Sequence, residues 1–130
     1  MSTLLLDSDV FSYLFRDHPL TPFYRPRVNG HILAITFMTV AELFQGAFRA
    51  AWGDRQVRRL EAQIKSCLVV PSSHEVCRKW GGVRPIRRYQ PISPQDAWIA
   101  ATALEYDYAL VANNSADYHG IPALRIIAQD

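Results

Sequence analysis

Twelve carboxylate residues are spread through this 130-residue sequence, and four stand where chemistry could be assembled. Asp7 directly follows the apolar run Leu4 to Leu6. Glu42 comes shortly after Ile32 to Ile35, Asp96 opens the segment after Pro94, and Asp117 comes soon after Tyr108 to Val111. Carboxylates gathered at one place raise one another's pKa unless a cation lies between them. Mg²⁺ or Mn²⁺ suits such a set, because both are hard ions that take carboxylate and water oxygens and no His or Cys accompanies these acids. A cation held there acidifies a water and offsets charge at phosphorus, which is the chemistry of phosphodiester hydrolysis. Asp7 leads the set, since it ends an apolar strand and has no capping role visible in the sequence. The other three also fit helix starts. Thr39-x-x-Glu42 reads as a capping box, Ser93-Pro94-Gln95-Asp96 as an N-cap with Pro first and an acid third, and Asn114-x-x-Asp117 repeats that spacing. Capping and cation binding are compatible, and Asp9, Thr39 and Asn114 are candidates for orienting the ligands.

The elements that would position these acids follow from hydrophobic periodicity. Leu4 to Leu6, Ile32 to Ile35, Cys67 to Val70, Tyr108 to Val111 and Leu124 to Ile127 are short runs without polar alternation, as in strands buried on both faces. Helical spacing fills the stretches between, most clearly Val40 to Trp52 and Ala97 to Glu105. The expected fold is α/β: one domain over residues 1–130, with a mostly parallel sheet and helices on both faces. Open sheets of this kind bind ligands beyond the carboxyl ends of their strands, so the four acids are expected to converge. Pro19, Pro22 and Pro26 punctuate one connection, and Gly81, Gly82, Pro85, Pro91 and Pro94 mark a second irregular region.

Composition bounds the remaining possibilities. The 49% hydrophobic and 20% charged fractions are those of a globular protein, and no apolar run nears the roughly 20 residues of a membrane span. The first residues lack the basic start and apolar stretch of a secretory signal, so a cytoplasmic location is expected. Cys67 and Cys77 have no partners at ligand spacing, which argues against a disulfide framework or a zinc site and for buried or inert thiols. Twelve of the fourteen basic residues are Arg, a bias that suits a polyanionic partner. Arg78, Lys79, Arg84, Arg87 and Arg88, interleaved with Trp80 and Tyr89, could grip the phosphates of a nucleic acid and stack an unpaired base; a solvated surface is the alternative. Phe11 to Phe15, and the pair Phe44 and Phe48, are expected to be core or the lining of a partner groove.

Four segments together resemble the signature blocks of VapC-type PIN-domain toxins. They are Leu4 to Val10, Ile35 to Ala47, Asp96 to Leu104, and Asn114 to Tyr118 with Ile121-Pro122, in the family's order and covering nearly the whole chain. The resemblance implies a five-stranded parallel sheet, with Asp7, Glu42, Asp96 and Asp117 as metal ligands and catalytic acids. It also implies Mg²⁺-dependent endoribonuclease activity, toxicity, neutralisation by a VapB-like antitoxin, and a homodimer. Asp9 stands where the family usually has Asn and adds a fifth acid. Ala112 stands where a small hydroxyl residue is common. Two alternatives stay open on the residues alone: a metal-dependent nuclease acting on DNA or structured junctions, and a catalytically degenerate PIN-like binding module.

Overall fold

The apolar run Thr3–Leu6 becomes a central strand because its side chains have two cores to enter. Leu4 and Leu6 pack with Val10, Phe11, Leu14, Tyr24 and Ile64 on one face, while Leu5 packs with Ala34, Leu110, Ala97 and Ala100 on the other. A strand covered on both sides has no place for polar alternation. A computed structural model describes residues 2–130. The chain runs β1 (Thr3–Leu6), α1 (Ser8–Phe15), α2 (Thr21–Val28), β2 (Ile32–Thr36), α3 (Phe37–Arg49), α4 (Asp54–Lys65) and β3 (Leu68–Val70). It continues through α5 (His74–Val83), α6 (Pro94–Tyr106), β4 (Ala109–Ala112), a 3₁₀ turn (Ser115–Tyr118) and β5 (Ile126–Ala128).

All strand pairs are parallel, and the sheet order is β3-β2-β1-β4-β5. The expected single-domain α/β fold, with five parallel strands and helices on both faces, is the fold observed. From β1 the chain builds outward through β2 and β3, then crosses to the other side for β4 and β5. That reversal opens a crevice beyond the carboxyl ends of β1 and β4, where ligands of such sheets bind.

Several local expectations are corrected. Helix α3 starts at Phe37, not near Val40: the hydroxyl of Thr36 caps it by accepting the Thr39 N–H at 3.1 Å. Glu42 therefore lies in the second turn, and no Thr39/Glu42 capping box forms. The helical stretch expected to reach Trp52 ends at Arg49; Ala51 turns the chain through a left-handed backbone conformation (φ 55°), and α4 follows. Pro22 and Pro26 do not break the connection after α1. Pro22 sits at the start of α2, where its missing N–H costs nothing, and Pro26 falls near the end of this eight-residue helix. Likewise α5 runs unbroken through Gly81 and Gly82, anchored by buried Val76 and Val83. Cys67 is half-buried and Cys77 exposed, and both are free thiols. Among the described residues no helix is long and apolar enough to cross a membrane.

Candidate functional site

Asp7 occupies the crevice. It is the first residue past β1, 6% exposed, with its own N–H donating to the Val111 carbonyl of β4 at 3.0 Å. Its Oδ1 accepts the Val10 N–H at 2.8 Å, capping α1, and its Oδ2 accepts the Asn113 N–H at 3.0 Å. Asp7 thus does cap a helix, contrary to the sequence reading, because α1 begins with no intervening loop. Burial pushes its pKa up to about 7. The two N–H donors pull the other way, and the charges of Asp9 and Asp96 add to the rise.

Glu42 approaches from α3 and is half-buried. Ser8, the first residue of α1, donates to Glu42 Oε1 at 3.3 Å and lies within the same distance of the Thr39 hydroxyl, which is itself buried. Burial raises the Glu42 pKa, Ser8 opposes the rise, and Asp96 and Asp9 add to it. Asp96 is the third residue of α6. Ser93 caps that helix as expected, with Pro94 first, and its hydroxyl accepts the Asp96 N–H at 3.0 Å. Burial again raises the carboxyl pKa, hydrogen bonds from Ser93 and Tyr118 oppose it, and Asp117 and Asp9 reinforce it.

Asp117 is exposed on the 3₁₀ turn, which three contacts hold in place. The Asn114 side chain accepts the Ala116 N–H at 3.1 Å, Asp130 accepts both the N–H and the hydroxyl of Ser115 at 3.2 Å, and Arg87 Nη1 donates to the Ala116 carbonyl at 2.9 Å. Asp9 is exposed, with the Asn113 amide at 3.4 Å. The end of β1, the first turn of α1, α3, α6 and the 3₁₀ turn thus bring five acids together, close enough that the charges of their neighbours raise Asp7, Glu42 and Asp96. No cation is paired with them: the one ion pair among the described residues joins Arg125 to Asp107. The acids stay apart as they stand, since no three His, Cys, Asp or Glu side chains among the described residues converge tightly enough to hold one ion. The donor set, all oxygen and all anionic, fits a hard divalent cation.

The basic segment is dispersed by comparison. Arg78 and Lys79 line a cleft of about 530 Å³ with His74, Glu75, Ile86 and Glu105, which none of the five acids touches. Arg84 donates to the Ile92 carbonyl and lies 5.5 Å over Trp80, whose ring stacks at 5.1 Å on Trp98. Trp80 is therefore packed between two side chains. Arg87 is tied to the 3₁₀ turn, and Arg88 lies 5.8 Å from the exposed ring of Tyr89.

Three residues here were not singled out from the sequence: Ser8, Asn113 and Tyr118. Ser8 and Asn113 sit beside acids or their caps, a proximity legible in spacing. The Tyr118 phenol meets Asp96 Oδ1 at 3.3 Å, a contact that spacing alone does not reveal. A second cleft, of about 540 Å³, adjoins Asp9 and Glu42 between α1, α3 and α4. Phe11 and Phe15 line it as expected, joined by Leu43, Ala47 and Trp52 rather than by Phe44 and Phe48.

A family model described as PIN domain matches residues 4–119. Ribonuclease VapC1 of Haemophilus influenzae (strain R2866) is 27% identical over 127 residues, covering 93% of each chain. The tRNA(fMet)-specific endonuclease VapC of Shigella flexneri is 23% identical over 127 residues, covering 96% of each. In a crystal structure of DNA-bound VapBC from Salmonella typhimurium, a chain superposes with a TM-score of 0.84 at 25% identity, covering 98% of both.

Proposed function

Because the chain belongs to the PIN domain family, matched over residues 4–119, we propose that it is a Mg²⁺-dependent endoribonuclease, the toxin of a VapBC-type pair. One observation carries the reading: acids from separate elements gather at the switch point of a parallel sheet, and among the described residues none of them is in an ion pair. Left so, Asp7 is costly to ionise, and a cation is the simplest compensation. Relatives named ribonuclease and endonuclease support nuclease chemistry.

Asp7, Glu42, Asp96 and Asp117 would hold the ion, with Asp9 at the rim. When bound, it would acidify a water and offset the charge developing on the phosphoryl oxygens. The chain's own residues do the positioning. The Val10 and Asn113 amides fix both oxygens of Asp7, Ser8 fixes Glu42, and the capped, tethered 3₁₀ turn presents Asp117. These contacts restrain the carboxylates near one another, and short side-chain movements would close them on the cation. Asp9 and Asp117, both exposed, leave the site open on the side from which a single strand could enter.

The groove between α1, α3 and α4 fits the expected VapB-like antitoxin. Phe15, Leu43 and Trp52 offer apolar anchors for a helix, and the groove ends at Asp9 and Glu42, where a basic side chain of the partner would sit. Pairing of two copies is part of the same reading. The test of the activity is incubation of the purified chain with single-stranded RNA and, separately, DNA of the same sequence, with Mg²⁺ or with excess chelator. Cleavage of RNA alone, abolished by chelator, is expected. RNA cleavage in chelator, or of DNA only, contradicts the assignment.

A further inference from the structure

We propose that Tyr118 is a positioning residue of the acidic site, its phenol orienting the Asp96 carboxylate toward the cation. The inference rests on the reading that these acids hold a divalent ion. The ring is 2% exposed and packed with Ile92, Ala97, Ile99 and Ile121 in the core on the α5/α6 side of the sheet. Phenylalanine would fill that space equally well, so the packing has no need of the hydroxyl. A buried phenol without a partner is costly, and the hydroxyl finds its hydrogen bond at Asp96 Oδ1, 3.3 Å away. The backbone beneath it is fixed as well. Asn114 caps the 3₁₀ turn, Asp130 holds Ser115 and Arg87 holds Ala116, so the ring and its hydroxyl are placed by the fold rather than by Asp96.

The arrangement also completes a pattern. Asp7 is oriented by main-chain N–H groups from α1 and the β4 end, Glu42 by Ser8, and Asp96 by Tyr118, so each of these three acids, buried or half-buried, takes a donor from an element other than its own. Groups that hydrogen-bond metal-ligating carboxylates typically change metal affinity by roughly 10- to 100-fold when removed.

The test uses Tyr118→Phe, which keeps the ring and deletes the hydroxyl. Mn²⁺ alone is titrated into wild type and variant, followed by calorimetry and by the electron paramagnetic resonance signal of the bound ion, with thermal melts of both metal-free proteins. We expect Mn²⁺ to bind the variant about tenfold more weakly, with an altered spectrum and an unchanged metal-free melting temperature. Equal affinity and an identical spectrum would overturn the proposal. So would a variant that melts lower yet binds Mn²⁺ as tightly as wild type, since the hydroxyl would then serve only the core. If wild type binds no Mn²⁺, the metal reading itself fails and the proposal falls with it.

Discussion

Protonation of Asp7 is linked to folding, because its carboxyl is buried beside other acids. The unfolded chain loses this proton near 3.8 and the folded chain near 7. Between those values the folded state binds the extra proton, so the contribution of Asp7 to metal-free stability is most favourable below about pH 4, falls as pH rises towards 7 and levels off above it. At 1.36 kcal/mol per unit, the penalty is of the order of 4 kcal/mol. Asp7→Asn removes it, but it also turns an amide NH₂ toward the N–H of Asn113 or Val10, losing an acceptor worth about 1 kcal/mol. The variant should therefore be no more stable than wild type at about pH 4 and more stable at about pH 8, as read from metal-free denaturant melts at the two pH values. A difference that does not change with pH would show that Asp7 carries no such charge burden. Asp7 could be singled out from the sequence because it ends an apolar run, and Asp96 because it opens a helix just after Ser93 and Pro94. The phenol of Tyr118 could not, since its partner lies 22 residues away and meets it only through the fold.

At the scale of elements, the N-terminus of α3 governs Glu42. The Thr36 hydroxyl caps the helix and touches the Thr39 hydroxyl, which in turn lies against Ser8. Thr36→Ala should cost about 1 kcal/mol of stability and weaken cleavage more than the stability loss explains, because the Ser8–Glu42 contact loosens with it. An exposed-helix control such as Arg58→Ala separates the two effects; equal cleavage by Thr36→Ala and the control would contradict the argument. In α5, a Cβ added at Gly81 or Gly82 meets nothing within 4 Å. Gly81→Ala should stabilise the fold by up to about 1 kcal/mol and leave RNA cleavage intact, as checked by melts and a cleavage assay. Loss of cleavage would mean that the substrate approaches this helix closely. The central strands β1 and β4 were legible because a run buried on both faces has no polar interruption, and the edge strand β3 carries the same apolar signature although Leu68 and Val69 are exposed. Helix limits were less so: Thr39-x-x-Glu42 has the spacing of a cap, but Thr36 three residues earlier takes the role, and the buried valines of α5 outweigh its two glycines.

For the whole molecule, topology does what no single residue can. Acids from β1, α3, α6 and the 3₁₀ turn come together because the sheet reverses its direction of growth beside β1. The apolar groove then reaches Asp9 and Glu42 from the side, so a partner helix bound there with a basic side chain at that end would compete with an ion for them. Leu43→Asp should release such a partner while sparing activity, as pull-down and cleavage assays would show; a partner that still binds occupies another face. The central claim, that the acidic cluster cleaves RNA through a bound divalent cation, is tested most directly by titrating Mg²⁺ into a cleavage assay with wild type and Asp96→Asn. Wild-type cleavage is expected to rise to saturation with Mg²⁺ and to vanish in chelator, with the folded variant inactive at every concentration. Full activity of Asp96→Asn, or wild-type cleavage indifferent to Mg²⁺ and chelator, would contradict the account.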